Sequence, residues 1–222
     1  MDFNEKKLIN QTYENNWLIE ETYQQSDFHQ CHFNNITTQD IVFENCYFYQ
    51  TMFNQCDLSN IKFNNCMFRQ VQFNNCKLLG SDFSESSFDK VIFNDCLCHF
   101  ANFSFTRNKE TLFNRCDLSQ AIFQDTTMNK TKYKECRMIQ TSFLHAPLKN
   151  IDLSTCLIEA IEAAPQDVSG VIIDEMQSSA FIHLLNIKIK EAKLHASFSK
   201  MHVLKIIISC CHIILDKLIF FI

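Results

Sequence analysis

The stretch from Phe53 to Phe73 reads FNQCDLSNIKFNNCMFRQVQF, and its spacing decides the fold. Phe53, Leu58, Phe63, Phe68 and Phe73 recur every five residues. Two residues before each of the last four stands a small or β-branched side chain: Cys56, Ile61, Cys66, Val71. Working outward, Phe28, Phe33, Phe43 and Phe48 keep the register on one side. Phe83, Phe88, Phe93, Phe103, Phe113, Phe123 and Phe143 keep it on the other. Of the 17 phenylalanines between residues 13 and 173, 15 fall in this one class. Leu78, Leu118, Leu148, Leu153, Ile158 and Ile173 fill its gaps, and Tyr13, Leu18 and Tyr23 extend it toward the start.

A period of five is neither the 3.6 of a helix nor the 2 of a strand. It requires a chain that turns a corner every five residues and points one large and one small side chain inward per side. Four sides close a coil of twenty residues, and coils stack at the strand spacing of ~4.8 Å. Residues 13–173 then make a rod of roughly eight coils and about 40 Å. The other three positions of each five are mostly Asn, Asp, Gln, Ser, Lys and Glu. Asn at the corners suits turns, because it tolerates the left-handed region.

Ser26-Asp27-Phe28, Cys56-Asp57-Leu58-Ser59, Ser81-Asp82-Phe83-Ser84, Ala101-Asn102-Phe103-Ser104, Cys116-Asp117-Leu118-Ser119 and Ile151-Asp152-Leu153-Ser154 resemble the A(D/N)LXX unit of pentapeptide-repeat proteins. The resemblance spans about three quarters of the chain. It implies an all-β solenoid, a right-handed quadrilateral β-helix. The domain reading is a lead-in over 1–12, the β-helix over 13–173, a cap or dimerisation module over 174–190, and a hydrophobic tail over 191–222.

Composition excludes several function classes. The 222 residues include only 2 Gly and 2 Pro. Gly80 and Gly170 are too far apart to form a dinucleotide fingerprint or a P-loop. A net charge of −5 is the wrong sign for gripping nucleic acid through its phosphates, so no direct nucleic-acid contact is expected. The polar start Met1–Gln11 has no apolar secretion segment, which points to a cytoplasmic chain whose twelve cysteines are reduced. Nine of those cysteines sit in the small inward class. His29, Cys31 and His32, and likewise Cys96, Cys98 and His99, invite a metal reading. The cysteines fall on inward positions and the histidines on outward ones, so they point apart. No catalytic, cofactor or metal residues are assigned, and no enzyme is expected.

Charge is unevenly spread. Residues 13–60 contain Glu14, Glu20, Glu21, Asp27, Asp40, Glu44 and Asp57 and no Lys or Arg. Lys130, Lys132, Lys134 and Arg137 form a basic patch. The acids read either as a solvated surface or as a partner-binding face. Over 13–173 the net charge is only −7, so any likeness to a DNA duplex is partial. Two pentads break the apolar rule, with Thr38 and Asn108 at their centres. A buried unpaired Asn is costly. The expectation is that Arg107, Asn108 and Lys109 bulge outward as a protruding contact.

After Ile173, Asp174 and Gln177 have the spacing of a capping box. Met176, Ala180, Phe181, Leu184 and Leu185 follow at helical spacing, and Asn186 can stop the helix. These five cap the rod or form a dimer surface. Ile187-Lys188-Ile189-Lys190 alternates like a short strand. Gly170 to Ile189 is similar to the C-terminal module of the Qnr and MfpA quinolone-resistance branch of the family. That resemblance implies a homodimer that binds DNA gyrase or topoisomerase IV as a DNA-like rod and shields it from quinolones. Some members of that branch carry long inserted loops, and this sequence has none. Residues 203–222 are strongly apolar but interrupted by Lys205, Asp216 and Lys217. They read as a helix packed on the cap, a membrane-associated tail, or a segment without native structure. The alternative function is a scaffold for another protein partner, membrane-associated through that tail.

Overall fold

The computed structural model describes residues 5–14, 22–38, 41–182 and 184. They form a parallel β-solenoid with four ladders of strands, one per side of the coil. On side one, seven strands from Lys7–Ile9 to Thr127–Asn129 pair in steps of twenty residues. Side two does the same from Thr12–Glu14 to Lys132–Lys134. Side three begins as single bridges through Thr37, Asp57, Lys77, Leu97, Asp117 and Arg137, and ends with Arg137–Ile139 on Leu157–Glu159. Side four starts with Thr22–Gln24, Val42–Glu44 and Lys62–Asn64, then continues as bridges through Asp82, Asn102, Ile122, Ser142 and Glu162. Every described pairing keeps the same twenty-residue step, from Lys7↔Asp27 to Asp152↔Ile172. Among the described pentads none carries an inserted loop.

At five of the tight corners the turn has a local cause. Where a pentad reads Asp/Asn-x-Ser, the Asp or Asn side chain accepts from the backbone N–H two residues on. The Ser59, Ser84, Ser104, Ser119 and Ser154 amides donate in this way at 2.9–3.3 Å. This Asx motif bends the chain into a tight turn, closed by bonds such as Ala121 N–H to the Leu118 carbonyl at 3.0 Å. Pentads of the Phe-Asn-x-Cys type lack it and stay extended for three residues. All described corners except the one after Thr155 and the stretch around Pro165 turn on a left-handed residue, usually Asn, Gln, Asp or Glu.

Inside, side two carries an unbroken aromatic column from Tyr13 through Phe33, Phe53, Phe73, Phe93 and Phe113 to Tyr133. Its ring centroids lie 4.7–5.2 Å apart. Side four has its own, from Tyr23 to Phe143. Side one has Phe28, Phe48, Phe68 and Phe88, then Asn108 and Met128. Side three is aliphatic, with Leu58, Leu78, Cys98, Leu118, Met138 and Ile158. Apart from the half-buried Met128, these side chains are buried. Rings from neighbouring columns meet edge-on, as Phe83 does Phe93 at 6.1 Å and 85°, so the core is filled rather than hollow.

The rod ends at a short cap. A 3-10 turn Glu175–Gln177 leads into the helix Ser178–Ile182. Asp174 and Gln177 form the expected capping box. Gln177 also reaches back, donating from Nε2 to the Leu153 carbonyl at 2.9 Å and the Cys156 carbonyl at 2.5 Å, which pins the cap to the last coil. Phe181 is buried, and Ala180 and Leu184 pack against the solenoid core. The expected strand at 187–190 and the tail over 191–222 lie outside the described residues. No described helix is long and apolar enough to cross a membrane.

Candidate functional site

A filled core leaves function to the outward positions, whose side chains stack in ladders one coil apart. Side two presents the most regular one. Asn114, Asn94, Asn74 and Asn54 each donate from Nδ2 to the Oδ1 of the Asn twenty residues earlier, at 2.9–3.2 Å, ending on Asn34. Asn34 in turn donates to Glu14 at 3.3 Å. The ladder is half-buried, neutral and self-satisfied. Elsewhere the ladders are ionic: Arg69 and Lys109 flank Asp89 on side one, and a bidentate Arg115 grips Asp95 at 2.7 and 2.8 Å. These pairs are at the surface, and each adds little to stability.

The described acids of the first coils do not share a face. Asp27 is on side one, Glu14 on side two, Asp57 on side three and Glu44 on side four. They form a collar around the rod. Glu44 accepts from Gln24 at 3.0 Å, and Asp57 pairs with Lys77 at 3.3 Å. Burial works to raise the Asp57 carboxyl. The Ser59 hydroxyl and amide and the Lys77 ammonium outweigh it and hold the pKa below the usual carboxylate value. Asp117 is lowered in the same way, against burial, by Ser119 and His99, the latter at 2.8 Å. Glu20, Glu21 and Asp40 lie outside the described residues. Of the basic patch, Lys130, Lys132 and Lys134 line one shallow groove of about 500 Å³ with Asp152. Arg137 stands apart on side three, near Asp117.

The family model for the pentapeptide repeat region matches residues 6–78, and that for pentapeptide repeats in eight copies matches residues 66–96. Residues 6–96 belong to the pentapeptide-repeat family. Several solved structures share likeness with the chain. HetL, a pentapeptide-repeat protein involved in heterocyst differentiation regulation in the cyanobacterium Nostoc, is 17% identical with a TM-score of 0.41, over 78% of this chain and 83% of that one. A trypsin-treated QnrB1, a plasmid-mediated fluoroquinolone resistance protein, is 17% identical with a TM-score of 0.33, over 83% and 98%. A pentapeptide-repeat protein of the Arabidopsis thaliana thylakoid lumen is 20% identical with a TM-score of 0.36, over 45% and 66%. No curated protein matches the sequence.

One site expectation is corrected. Asn108 does not bulge outward with Arg107 and Lys109. It is 2% exposed, inside a regular strand that pairs with Ser87–Asp89 on one side and Thr127–Asn129 on the other. Only Arg107 and Lys109 face solvent. Asn108 donates from Nδ2 to Thr106 Oγ1 at 3.1 Å, while its Oδ1 has no hydrogen-bond partner. The ladder bonds on both sides hold the pentad in place despite that orphaned oxygen. The five cap residues also divide. Phe181, Ala180 and Leu184 face the core, Met176 is 87% exposed, and Leu185 lies outside the described residues.

Two ladders were hidden in the sequence by a period of twenty rather than five. One is the Asn ladder. The other is an internal column of thiols: Cys56, Cys76, Cys96, Cys116, Cys136 and Cys156, all buried and free. The first five donate their S–H to main-chain carbonyls, as Cys96 does to Phe73 at 3.3 Å. Cysteines ten apart lie on opposite sides, but cysteines twenty apart stack. Burial pushes the Cys66 thiol, in a parallel position, well above its usual pKa. Such thiols are core side chains rather than nucleophiles. Cys31, Cys96 and Cys98 face inward while His29, His32 and His99 stay half-exposed.

Proposed function

We propose that this chain is a non-catalytic binding rod, whose acidic first coils dock into the DNA-binding groove of a bacterial type II topoisomerase, DNA gyrase or topoisomerase IV. The observation that carries the reading is the collar. Residues 13–60 hold seven acids and no Lys or Arg. At twenty residues and ~4.8 Å per coil they span roughly 12 Å, or about one negative charge per 1.7 Å. B-DNA carries one per ~1.7 Å of axis. The density matches, and the four described acids stand on the four sides of the rod, as phosphates surround a duplex. The coils beyond residue 60 do not continue the pattern, so the mimicry is confined to one end. The similarity of Gly170–Ile189 to the Qnr and MfpA module supports the same reading, with Met176 as the exposed contact for a homodimer. Because no loop is inserted between described pentads, inhibition of the enzyme is the primary expected effect, and quinolone protection the secondary one.

The test is a DNA-gyrase supercoiling assay with the purified full-length chain, with and without a quinolone. Inhibition or drug rescue near stoichiometric concentration is expected, and Asp27→Lys with Glu44→Lys should abolish it. No effect in either condition, or an unchanged effect from the reversed variant, overturns the reading.

A further inference from the structure

Among the 17 phenylalanines of the repeat region, only Phe100 and Phe105 leave the five-residue register. Both land on corners. Each adopts a left-handed backbone at φ 58, and their rings are 59% and 54% exposed. No other described left-handed corner carries Phe, Tyr, Trp, Leu, Ile, Met or Val. A bulky side chain in this region is strained, and a corner suits Asn or Gly better. These two rings therefore add strain to the fold and bury little in return. Strain kept at an exposed position is a reason to look for a function there.

The two rings bracket one side of a single coil, with Asn102 and Ser104 between them on side four. Leu79, Leu97 and Ile122 add exposed apolar surface nearby. One coil on, a shallow groove of about 490 Å³ runs toward the C-terminal end, over Ile122, Gln124, Ser142 and Leu144. Along this stretch of side four itself the formal charges have one sign. From Asp82 to Glu162 the outward charges on side four are Asp82, Glu85, Asp125 and Glu162, with no Lys or Arg. The lone His145 lies 3.4 Å from Asp125. Phe105 itself stands between Glu85 and Asp125 in the corner stack, as the Glu85 N–H to Ser104 and Phe105 N–H to Gln124 bonds show.

We infer that this apolar, acid-rimmed surface is a docking site for a basic amphipathic helix of a partner protein. The acids repel nucleic acid and anionic lipid. The strand edges along the rod are already paired to the coils above and below, so an added β-strand finds no free edge here. A helix with an apolar stripe flanked by Lys and Arg matches both the two ring anchors and the rim. The surface begins beyond the acidic collar and does not depend on what the collar binds.

The test uses the full-length chain and two fluorescent peptides of equal length, one with a Leu/Lys amphipathic pattern and one with Leu/Glu. The Leu/Lys peptide should bind saturably and weaken as salt rises; the Leu/Glu peptide should not bind. The double variant Phe100→Asn/Phe105→Asn should weaken binding about tenfold or more, with a Tm equal to or above that of the parent, because Asn tolerates the left-handed corner. Equal binding of both peptides, or undiminished binding by the double variant, would sink the proposal. So would a lower Tm, which would show that the rings serve the fold.

Discussion

Sides one and two run the same length of the same rod on the same backbone, and differ in what stands at two positions of each pentad. Side two repeats itself: seven aromatic rings inside and five hydrogen-bonded asparagines outside. Side one is interrupted inside, where Asn108 and Met128 follow Phe88, and is ionic outside through Arg69, Asp89 and Lys109. Both keep the twenty-residue register at every described pair. The fold thus tolerates variety at either position so long as the spacing holds. Backbone ladders fix the path, and side chains set how stable each segment of it is.

The largest effect that tests this contrast is in the middle of the intact column. Phe73 stacks on Phe53 and Phe93, each at 4.8 Å. Phe73→Ala should cost about 3–5 kcal/mol in denaturant unfolding. Phe88 stacks on a ring on one side only, Phe68 at 5.2 Å, and meets Asn108 on the other. Phe88→Ala should cost less than Phe73→Ala, and equal losses would mean that column continuity adds nothing.

The interruption gives the next prediction, with the opposite sign. Asn108→Leu removes the orphaned Oδ1 and restores an apolar inward position. It should stabilise the chain by about 1–3 kcal/mol. A lower Tm would show that the bond from Asn108 to Thr106, and onward from Thr106 to the Phe103 carbonyl at 2.8 Å, holds this corner together.

Outside, Asn74 donates to Asn54 and accepts from Asn94, so Asn74→Ala breaks the ladder twice. The neighbours are half-buried and regain water, which limits the expected loss to about 1 kcal/mol.

These contrasts also mark what the sequence carried. The solenoid was legible from the phenylalanine spacing alone, because each inward position must be apolar and only a five-residue side explains the period. The cap was legible from Asp174 and Gln177, whose side chains answer each other locally. Asn108 was misread because its orphaned oxygen was weighed and the ladder was not. A bulge would have given up bonds such as Arg107 N–H to the Ser86 carbonyl and Thr127 N–H to the Thr106 carbonyl, at 3.1 and 3.0 Å. The acids of the first coils were legible as a run along the chain but not by direction. Direction depends on position within twenty residues, and Glu14, Asp27, Glu44 and Asp57 occupy four different sides. The thiol column and the asparagine ladder escaped for the same reason.

The smallest effect is a pH dependence of the ionic sides. In the folded chain the carboxyls of Asp57 and Asp117 lie below the model-peptide value of 3.8, held there, against burial, by Ser59 and Lys77 and by Ser119 and His99. A lowered folded pKa means that the unfolded chain takes up protons first as pH falls. The stabilisation is therefore fully present well above pH 3.8, begins to fade near it, and is lost as pH drops through the folded values. Both groups are partly exposed and screened, so each is worth on the order of 0.5 kcal/mol. Asp57→Asn keeps the side-chain oxygen that accepts from the Ser59 amide and removes the charge, and with it the Lys77 ion pair and the titration. It should leave the fold intact, lower Tm slightly at neutral pH, and flatten the acid limb of the Tm-against-pH curve. Asn74→Ala, on the uncharged ladder, should lower the whole curve without changing its slope. If instead the two variants give parallel curves, the acid sensitivity resides in other carboxylates, and the ionic and amide ladders are equivalent supports of one backbone.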